Sequence, residues 1–195
     1  NCGSFLQAWA LNEYLTNMGL STGFVSYKSN SSKWGITIWQ AIKCVGKLKF
    51  SIAKFLIKRK INYDKLLKKF HTYKKLQDAD MCVFGSDTIW NFHDDFFFAN
   101  ANFFTGKGFS GKKIAYAVSI ASSTKDCFLK EKEVVNQIAS FQAIALRDQY
   151  SASVMNDVLP DREMTIVLDP TMLIDAFAFN TLESNCYEVN EKTKY

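Results

Sequence analysis

"VFGSDTIWNF", residues 83–92, decides how this chain is read. A short apolar run climbs to Gly85. Ser86, Asp87, Trp90 and Asn91 then follow within the next six residues. A plain turn needs a Gly and an Asp; it does not need a Trp followed by an Asn. "MCVFG", bounded by Asp80 and Gly85, predicts a buried strand. The residues after it predict a loop that binds something.

Working outward, strands and helices alternate. Leu6, Ala10, Tyr14 and Met18 recur every fourth residue and predict a first helix over Ser4 to Met18, with Gly19 as its C-cap. "TGFVSYK" predicts a strand. Ile38, Ile42, Val45, Leu48, Ile52 and Phe55 are spaced three and four apart, which predicts one amphipathic helix over Ile38 to Leu56. A second, basic helix is expected over Tyr63 to Phe70. The aromatic region 91–112 reads as loop. "KIAYAVSIAS", "FQAIAL" and "MTIVLD" read as strands, separated by helices over Phe128 to Ser140 and Asp148 to Asn156. Such alternation predicts an α/β fold with a Rossmann-like, doubly wound, mainly parallel sheet. Ligands of such sheets bind beyond the carboxyl ends of the strands. The loops after Gly85, Val118, Leu146 and Leu168 are therefore expected along one edge.

The chain has 195 residues, 48% hydrophobic, enough for one large domain with a substantial core. Its net charge of +5 is unevenly spread. Lys43 to Lys75 holds twelve Lys or Arg and one acid, Asp64, so the basic character belongs to a single segment. Three readings of that segment stay open: a solvated helical face, contact with an anionic membrane surface or lipid-linked acceptor, and nucleic acid. No nucleic-acid motif accompanies it, and no nucleic-acid partner is expected. The five cysteines are odd in number and scattered, with no His at metal-ligand spacing. No metal and no cofactor are expected, and the cysteine pattern points to a reduced, cytoplasmic protein, associated with a membrane if the basic segment docks there. The longest apolar runs are too short to cross a bilayer. The chain begins at Asn1 in what reads as the middle of an element, so a fragment lacking its upstream strand is expected.

The loop-end residues form a set: Asn1, Gly3 and Gln7; Ser86, Asp87, Trp90 and Asn91; Ser119; Arg147 and Asp148; Asp169, Pro170 and Thr171. Each alone is as well explained by capping a helix or closing a turn. Together they resemble the polysaccharide pyruvyl transferase family. "NCGSFLQAWAL" looks like its opening, "VFGSDTIWN" like its Gly-Ser-Asp-x-x-Trp-Asn signature, and "KKIAYAVSIAS" like its Tyr-Ala-x-Ser strand. "IALRDQYS" resembles its Arg-acid-x-x-Ser turn and "VLDPTMLID" its Asp-Pro-Thr-x-Leu segment. The chain departs from the pattern at Thr88, where Gln is common, at Asp148, where Glu is common, and at Ala121, where a Gly often stands.

The resemblance implies the N-terminal half of a two-domain, GT-B-like enzyme. Residues 1–176 would form the Rossmann-like, N-terminal, acceptor-side domain, lacking its first strand. Residues 177–195 would be a linker or the truncated start of a second domain. The implied activity transfers the enolpyruvyl group of phosphoenolpyruvate, the donor substrate, to a sugar diol, giving a pyruvate ketal in bacterial cell-surface polysaccharide (exopolysaccharide) synthesis. Two His and three Arg are a thin supply for a phosphoenolpyruvate site, so the donor groups are expected in the other half and this chain alone is expected to be inert. The implied acceptor-binding residues are Asn1, Gln7, Ser86, Asp87, Trp90, Asn91, Ser119 and Arg147. Trp90 stacks on a sugar or plugs the loop onto the core; Asn91 holds the loop or touches the ligand.

His93 lies beside Asp94 and Asp95, and carboxylates favour a protonated imidazole. It is a candidate general acid, although a lone loop His is more often an ordinary surface residue. His71 reads as solvated. Two alternatives accompany the transferase: a non-catalytic saccharide-binding module of the same fold, and a serine hydrolase using Ser86 and His93. The latter lacks the second Gly of G-x-S-x-G.

Overall fold

The computed structural model describes residues 2–25, 34–46, 49–67, 72–73 and 75–183. They fall into two units, one of residues 1–21 and 79–195, the other Thr22–Asp78. Helix α1 (Cys2–Asn17) begins the first unit. It ends as the sequence predicts. Gly19 takes φ +85°, its N–H donates to Thr16 O at 2.9 Å, and the Leu20 N–H donates to Leu15 O at 3.2 Å.

The second unit contains β1 (Phe24–Val25), α2 (Trp34–Gly46), α3 (Phe50–Leu67) and β2 (Thr72–Tyr73). The two strands pair in parallel, with Phe24 opposite Thr72, so the helices between them form the crossover. The single helix expected over Ile38 to Leu56 is two helices. α2 stops at Gly46, α3 restarts at Phe50, and the Lys49 N–H donates to Cys44 O at 2.8 Å across the break. Gly costs roughly 1 kcal/mol more than Ala inside a helix. The three-and-four periodicity runs through a short break unchanged, so it hid the break. α3 also includes the start of the expected second basic helix; residues 68–70 and His71 lie outside the described residues.

The first unit continues with β3 (Met81–Gly85), α4 (Asp95–Ala99), α5 (Ala101–Phe104), β4 (Lys112–Val118), α6 (Lys125–Leu129) and α7 (Lys132–Ala139). Then come β5 (Ala143–Leu146), α8 (Gln149–Val158), β6 (Thr165–Ile166) and α9 (Ala176–Glu183). Strands β3, β4, β5 and β6 make one parallel sheet in chain order. The parallel α/β architecture agrees with a Rossmann-like fold. Within this sheet the order does not reverse, so the switch point of a doubly wound sheet is not found in β3 to β6.

Two local expectations are corrected. The aromatic region after Asn91 carries α4 and α5, because the Asp94 carboxylate caps α4 by accepting from the Phe96 N–H at 2.9 Å. The helix expected over Phe128 to Ser140 is split into α6 and α7, with Glu131 outside the helical conformation between them (φ −125°, ψ 81°). Only two residues of "MTIVLD" pair as β6, and both are exposed, as befits an edge strand.

The core lies on the sheet. Ala115, Ala117 and Val118 from β4 and Ile144 and Leu146 from β5 are buried with Val134 and Ile138 of α7 and Ala152 and Met155 of α8. Phe141 joins this core to the loops. Its ring meets Phe84 at 5.2 Å and Trp90 at 5.6 Å, both edge-on. Lys113 is buried beside it. Its ammonium donates to Thr105 O and Gln137 O at 3.1 and 3.2 Å and lies 4.8 Å from the Phe141 ring centre. Burial lowers its pKa below the usual lysine value. At the other end of the chain, the Phe179 ring of α9 packs on Trp9 of α1 at 5.3 Å.

Candidate functional site

The register places the carboxyl ends of the strands together. Gly85 lies opposite Tyr116, Val118 opposite Leu146, and Leu146 opposite Ile166. Three features of the backbone shape this edge. Gly85 has φ +136°, and a Cβ there would stand 2.0 Å from Tyr116 O, so only glycine fits where β3 meets β4. The register of β4 against β5 shifts between Ala115 and Val118, and Ala117 within the bulge has φ +52°. Bulges recur beside functional sites because they re-aim the residues that follow. Ala121, also after this strand, has φ +51°.

The side chains at the edge are joined to one another. Ser4 and Gln7 are three residues apart on α1, which puts them on one face. Ser4 Oγ donates to Asp87 Oδ2, and Gln7 Nε2 donates to Asp169 Oδ2. Asp169 also accepts from the Thr171 N–H and hydroxyl at 3.0 and 2.7 Å, and Arg147 Nη1 lies 3.6 Å from its Oδ2. Burial pushes the Asp169 carboxyl up, but the Thr171 bonds, Gln7 and the Arg147 charge together hold it below the ordinary carboxylate value. Asp87 accepts from the Thr88 N–H at 2.8 Å, and its main-chain O accepts from the Ser119 N–H at 3.1 Å.

Beneath the edge lies a layer of buried serines. Ser119 Oγ and Ser151 Oγ are 3.5 Å apart; Ser151 Oγ accepts from the Ile120 N–H at 3.1 Å, and Ser119 Oγ from the Ala121 N–H at 3.2 Å. Asp148 caps α8, accepting from the Ser151 N–H at 2.8 Å. Burial raises its pKa, and hydrogen bonds from Ser151 and Ser119 with the Arg147 charge outweigh that and lower it. Ser123 Oγ accepts from the His93 N–H at 3.0 Å and reaches Asn91 Oδ1 at 3.3 Å; Ser122 Oγ reaches the same oxygen at 3.4 Å.

These contacts sort the expected acceptor-binding residues. Gln7, Asp87, Asn91 and Arg147 are partly exposed and stand at or beside the edge. Trp90 is 0% exposed, its indole N–H donates to Phe104 O at 3.1 Å and Phe141 meets it edge-on. It plugs the loop onto the core, and the alternative of stacking on a sugar is corrected: no face is left for one. Ser119 is enclosed and brackets the end of β4 to α8 through Ser151 and to the loop after β3 through Asp87 O. Ser86 is 3% exposed, and its Oγ has no hydrogen-bond partner among the described residues. Neither serine presents a surface to a ligand, which corrects their expected direct contact. Asn91 holds the loop through Ser122 and Ser123. Asn1 lies outside the described residues. His93 is exposed, and no hydrogen bond joins it to Ser86 among the described residues, so the nucleophile–base pair of a hydrolase is not formed.

The sequence reading passed over Ser4, Ser123 and Tyr116. Ser4 carried a signal in its helical spacing to Gln7, and Tyr116 as the Tyr of the Tyr-Ala-x-Ser strand. Tyr116 lies in β4, two residues before its end; burial first, then the Tyr14 and Asp169 charges, raise its pKa.

The family model of the polysaccharide pyruvyl transferases matches residues 1–194. The chain belongs to this family. No curated protein and no solved structure matches it. For this pyruvyl transferase family member, the matched stretch takes in every segment of the edge, from α1 to the turn at Asp169. Among the described residues no group of His, Cys, Asp and Glu could hold a metal ion. No described helix is long and apolar enough to cross a membrane.

Proposed function

We propose that this edge is the acceptor site of a pyruvyl transferase acting on a saccharide. The observation that carries the reading is the junction of Ser4 with Asp87 and of Gln7 with Asp169 and Arg147. It gathers carboxylates, an amide and a guanidinium from four distant segments onto one sheet edge. A carboxylate has about four acceptor positions. Asp87 uses its two oxygens once each on Ser4 and Thr88, leaving capacity for sugar hydroxyls. Arg147 and Gln7 supply donors.

In this reading phosphoenolpyruvate reacts with two hydroxyls of one sugar. One hydroxyl oxygen adds to C2 while the methylene carbon takes a proton; the second displaces phosphate. The products are the cyclic ketal and inorganic phosphate. Positioning of the diol supplies much of the rate. Arg147 is paired with Asp169, and Arg162 donates to Phe141 O away from the edge. The phosphate and carboxylate of the donor are therefore assigned to groups beyond this edge, in the other half of a two-domain, GT-B-like enzyme. His93 is the candidate acid on this side. The acceptor would be a saccharide or lipid-linked saccharide in cell-surface polysaccharide synthesis, met in the cytoplasm at the membrane face. The Lys43 to Lys75 segment would bring the protein to that membrane.

The scarcity of free cations at the edge favours a second reading, a saccharide-binding module without turnover. Full-length protein given phosphoenolpyruvate and a panel of saccharides separates the two. Transfer gives acceptor-dependent phosphate release and a new ketal methyl signal in proton NMR. Saccharide binding without either product selects the module. No binding and no product across the panel defeats both readings.

A further inference from the structure

The α2–α3 hairpin is built inside out. Among its described side chains the buried ones are Ala41 and Ala53, while the large apolar ones face outward. Trp39 is 57% exposed and Ile42 63%, with Phe50 and Ile52 also exposed. Between the helices runs an apolar groove of about 230 Å³, lined by Ile38, Ala41, Ile42, Val45, Ala53 and Ile57. Small residues let the helix backbones meet, and the bulky ones are left for something else.

Charge says what that is. The apolar row begins just before Lys43 and runs into the Lys43 to Lys75 segment, with its twelve basic residues and one acid. Lys43, Lys54 and Lys58 are exposed on the two helices and Lys49 just before the second. Lys43 Nζ lies 3.4 Å from the centre of the Trp39 ring, so the ammonium sits over the indole face. An indole with a long cationic chain beside it suits the layer where lipid headgroups meet acyl chains. A second copy of this strongly basic face would be repelled by its own charge. A nucleic acid would use the lysines and leave Trp39, Ile42 and Phe50 in water. A bilayer surface carrying anionic phospholipid satisfies both the charge and the apolar row.

We propose that the outer face of α2 and α3 lies in the interfacial layer of an anionic membrane, with Trp39, Ile42 and Phe50 inserted and the lysines at headgroup level. The proposal specifies the peripheral contact of the preceding reading. It does not rest on pyruvyl transfer: vesicle binding is measured without turnover, so either can fail alone.

The test uses the full-length protein with vesicles of phosphatidylcholine alone, the same with added phosphatidylglycerol, and the mixture with brominated acyl chains. The expected result is co-sedimentation with the anionic vesicles only, weakened but not abolished by salt, and quenching of tryptophan fluorescence by the brominated chains. Of the four tryptophans Trp9 and Trp90 are buried; comparing Trp39→Phe with wild type isolates the share of Trp39, and the substitution should lower the quenching. Lys43→Gln and Lys54→Gln should each lower partitioning about fivefold. Circular dichroism and melting confirm that these surface variants keep their fold. Equal, negligible binding to both vesicle types overturns the proposal. So does anionic binding without bromolipid quenching, displacement from vesicles by short duplex DNA, or a concentration-dependent dimer that ignores vesicles.

Discussion

Gln7 and Asp169, 162 positions apart, are joined by a hydrogen bond from the amide of the first helix to the carboxylate after the last strand. Arg147 reaches the same carboxylate oxygen. The bond therefore ties the beginning and end of the first unit at the point where the edge carries its guanidinium.

A pH dependence follows. Asp148 and Asp169 both have folded pKa values below the ordinary range. A depressed carboxylate contributes stability that is present above its unfolded pKa, about 3.9 for Asp, and lost as pH falls through the folded value. Melting temperature should therefore fall steeply with acidification from about pH 4 downward. Asp169→Asn should lower it at neutral pH and flatten that acid limb. An unchanged acid limb in the variant would remove Asp169 as a source of the dependence.

Asp87→Asn keeps the shape and removes the charge. If Asp87 receives sugar hydroxyls, acceptor-dependent turnover of the full-length enzyme should drop while melting changes little. If its bonds to Ser4 and Thr88 are its whole role, melting should fall instead, by roughly 1.5–3 kcal/mol for a charged hydrogen bond. Acceptor kinetics and calorimetry on one sample decide.

Trp90→Ala should destabilise the protein by about 3–5 kcal/mol, the usual cost of emptying a large aromatic site. Trp90→Phe should recover part of it and leave acceptor affinity close to wild type. Lost saccharide binding with an unchanged melting temperature would restore the stacking role.

Ser86→Ala removes a hydroxyl that is buried without a partner among the described residues. An unsatisfied buried group costs about 1–3 kcal/mol, so the variant should melt at or above the wild-type temperature. A clear loss of stability would mean that Ser86 has a partner. Loss of phosphate release alone would bring it into the chemistry.

Ala121→Gly should raise stability. Ala121 is held at φ +51°, which costs an L-residue roughly 1–2 kcal/mol, partly offset by the entropy a glycine loses. A net gain near 1 kcal/mol corresponds to about 2–4 °C in a chain of this size. A lower melting temperature would show that the alanine methyl packs favourably enough to outweigh the strain.

Much of the frame was legible in the residues. The run Met81–Gly85 reads as a strand and is one; "KIAYAVSIAS", residues 113–122, reads as a strand, and the strand there is Lys112–Val118, ending before Ser119. The loop ends were placed on one edge because parallel strands must share a carboxyl side. Burial was less legible. Trp90 and Ser119 were assigned to a ligand because residue type cannot say whether a loop side chain turns inward. Lys113 went unnoticed because a lysine beside Lys112 looks like solvent-facing charge, although its ammonium is held by two carbonyls. The helix breaks at Gly46 and Glu131 escaped because a periodic pattern persists across a short interruption. Ala121 is the opposite case: a departure from a family glycine, plain in the sequence, that falls on a positive φ.

The all-parallel sheet also sets an order of events. Parallel neighbours cannot be joined by a tight hairpin, so each pairing waits for a long crossover to close. Ser4 and Asp87 are 83 positions apart, and Gln7 and Asp169 are farther still. Contacts so distant along the chain go with slow folding. The edge is thus among the last parts of the first unit to exist during refolding. Saccharide binding, measured against time, should lag behind helix formation and serve as a clock for the final closure of the sheet.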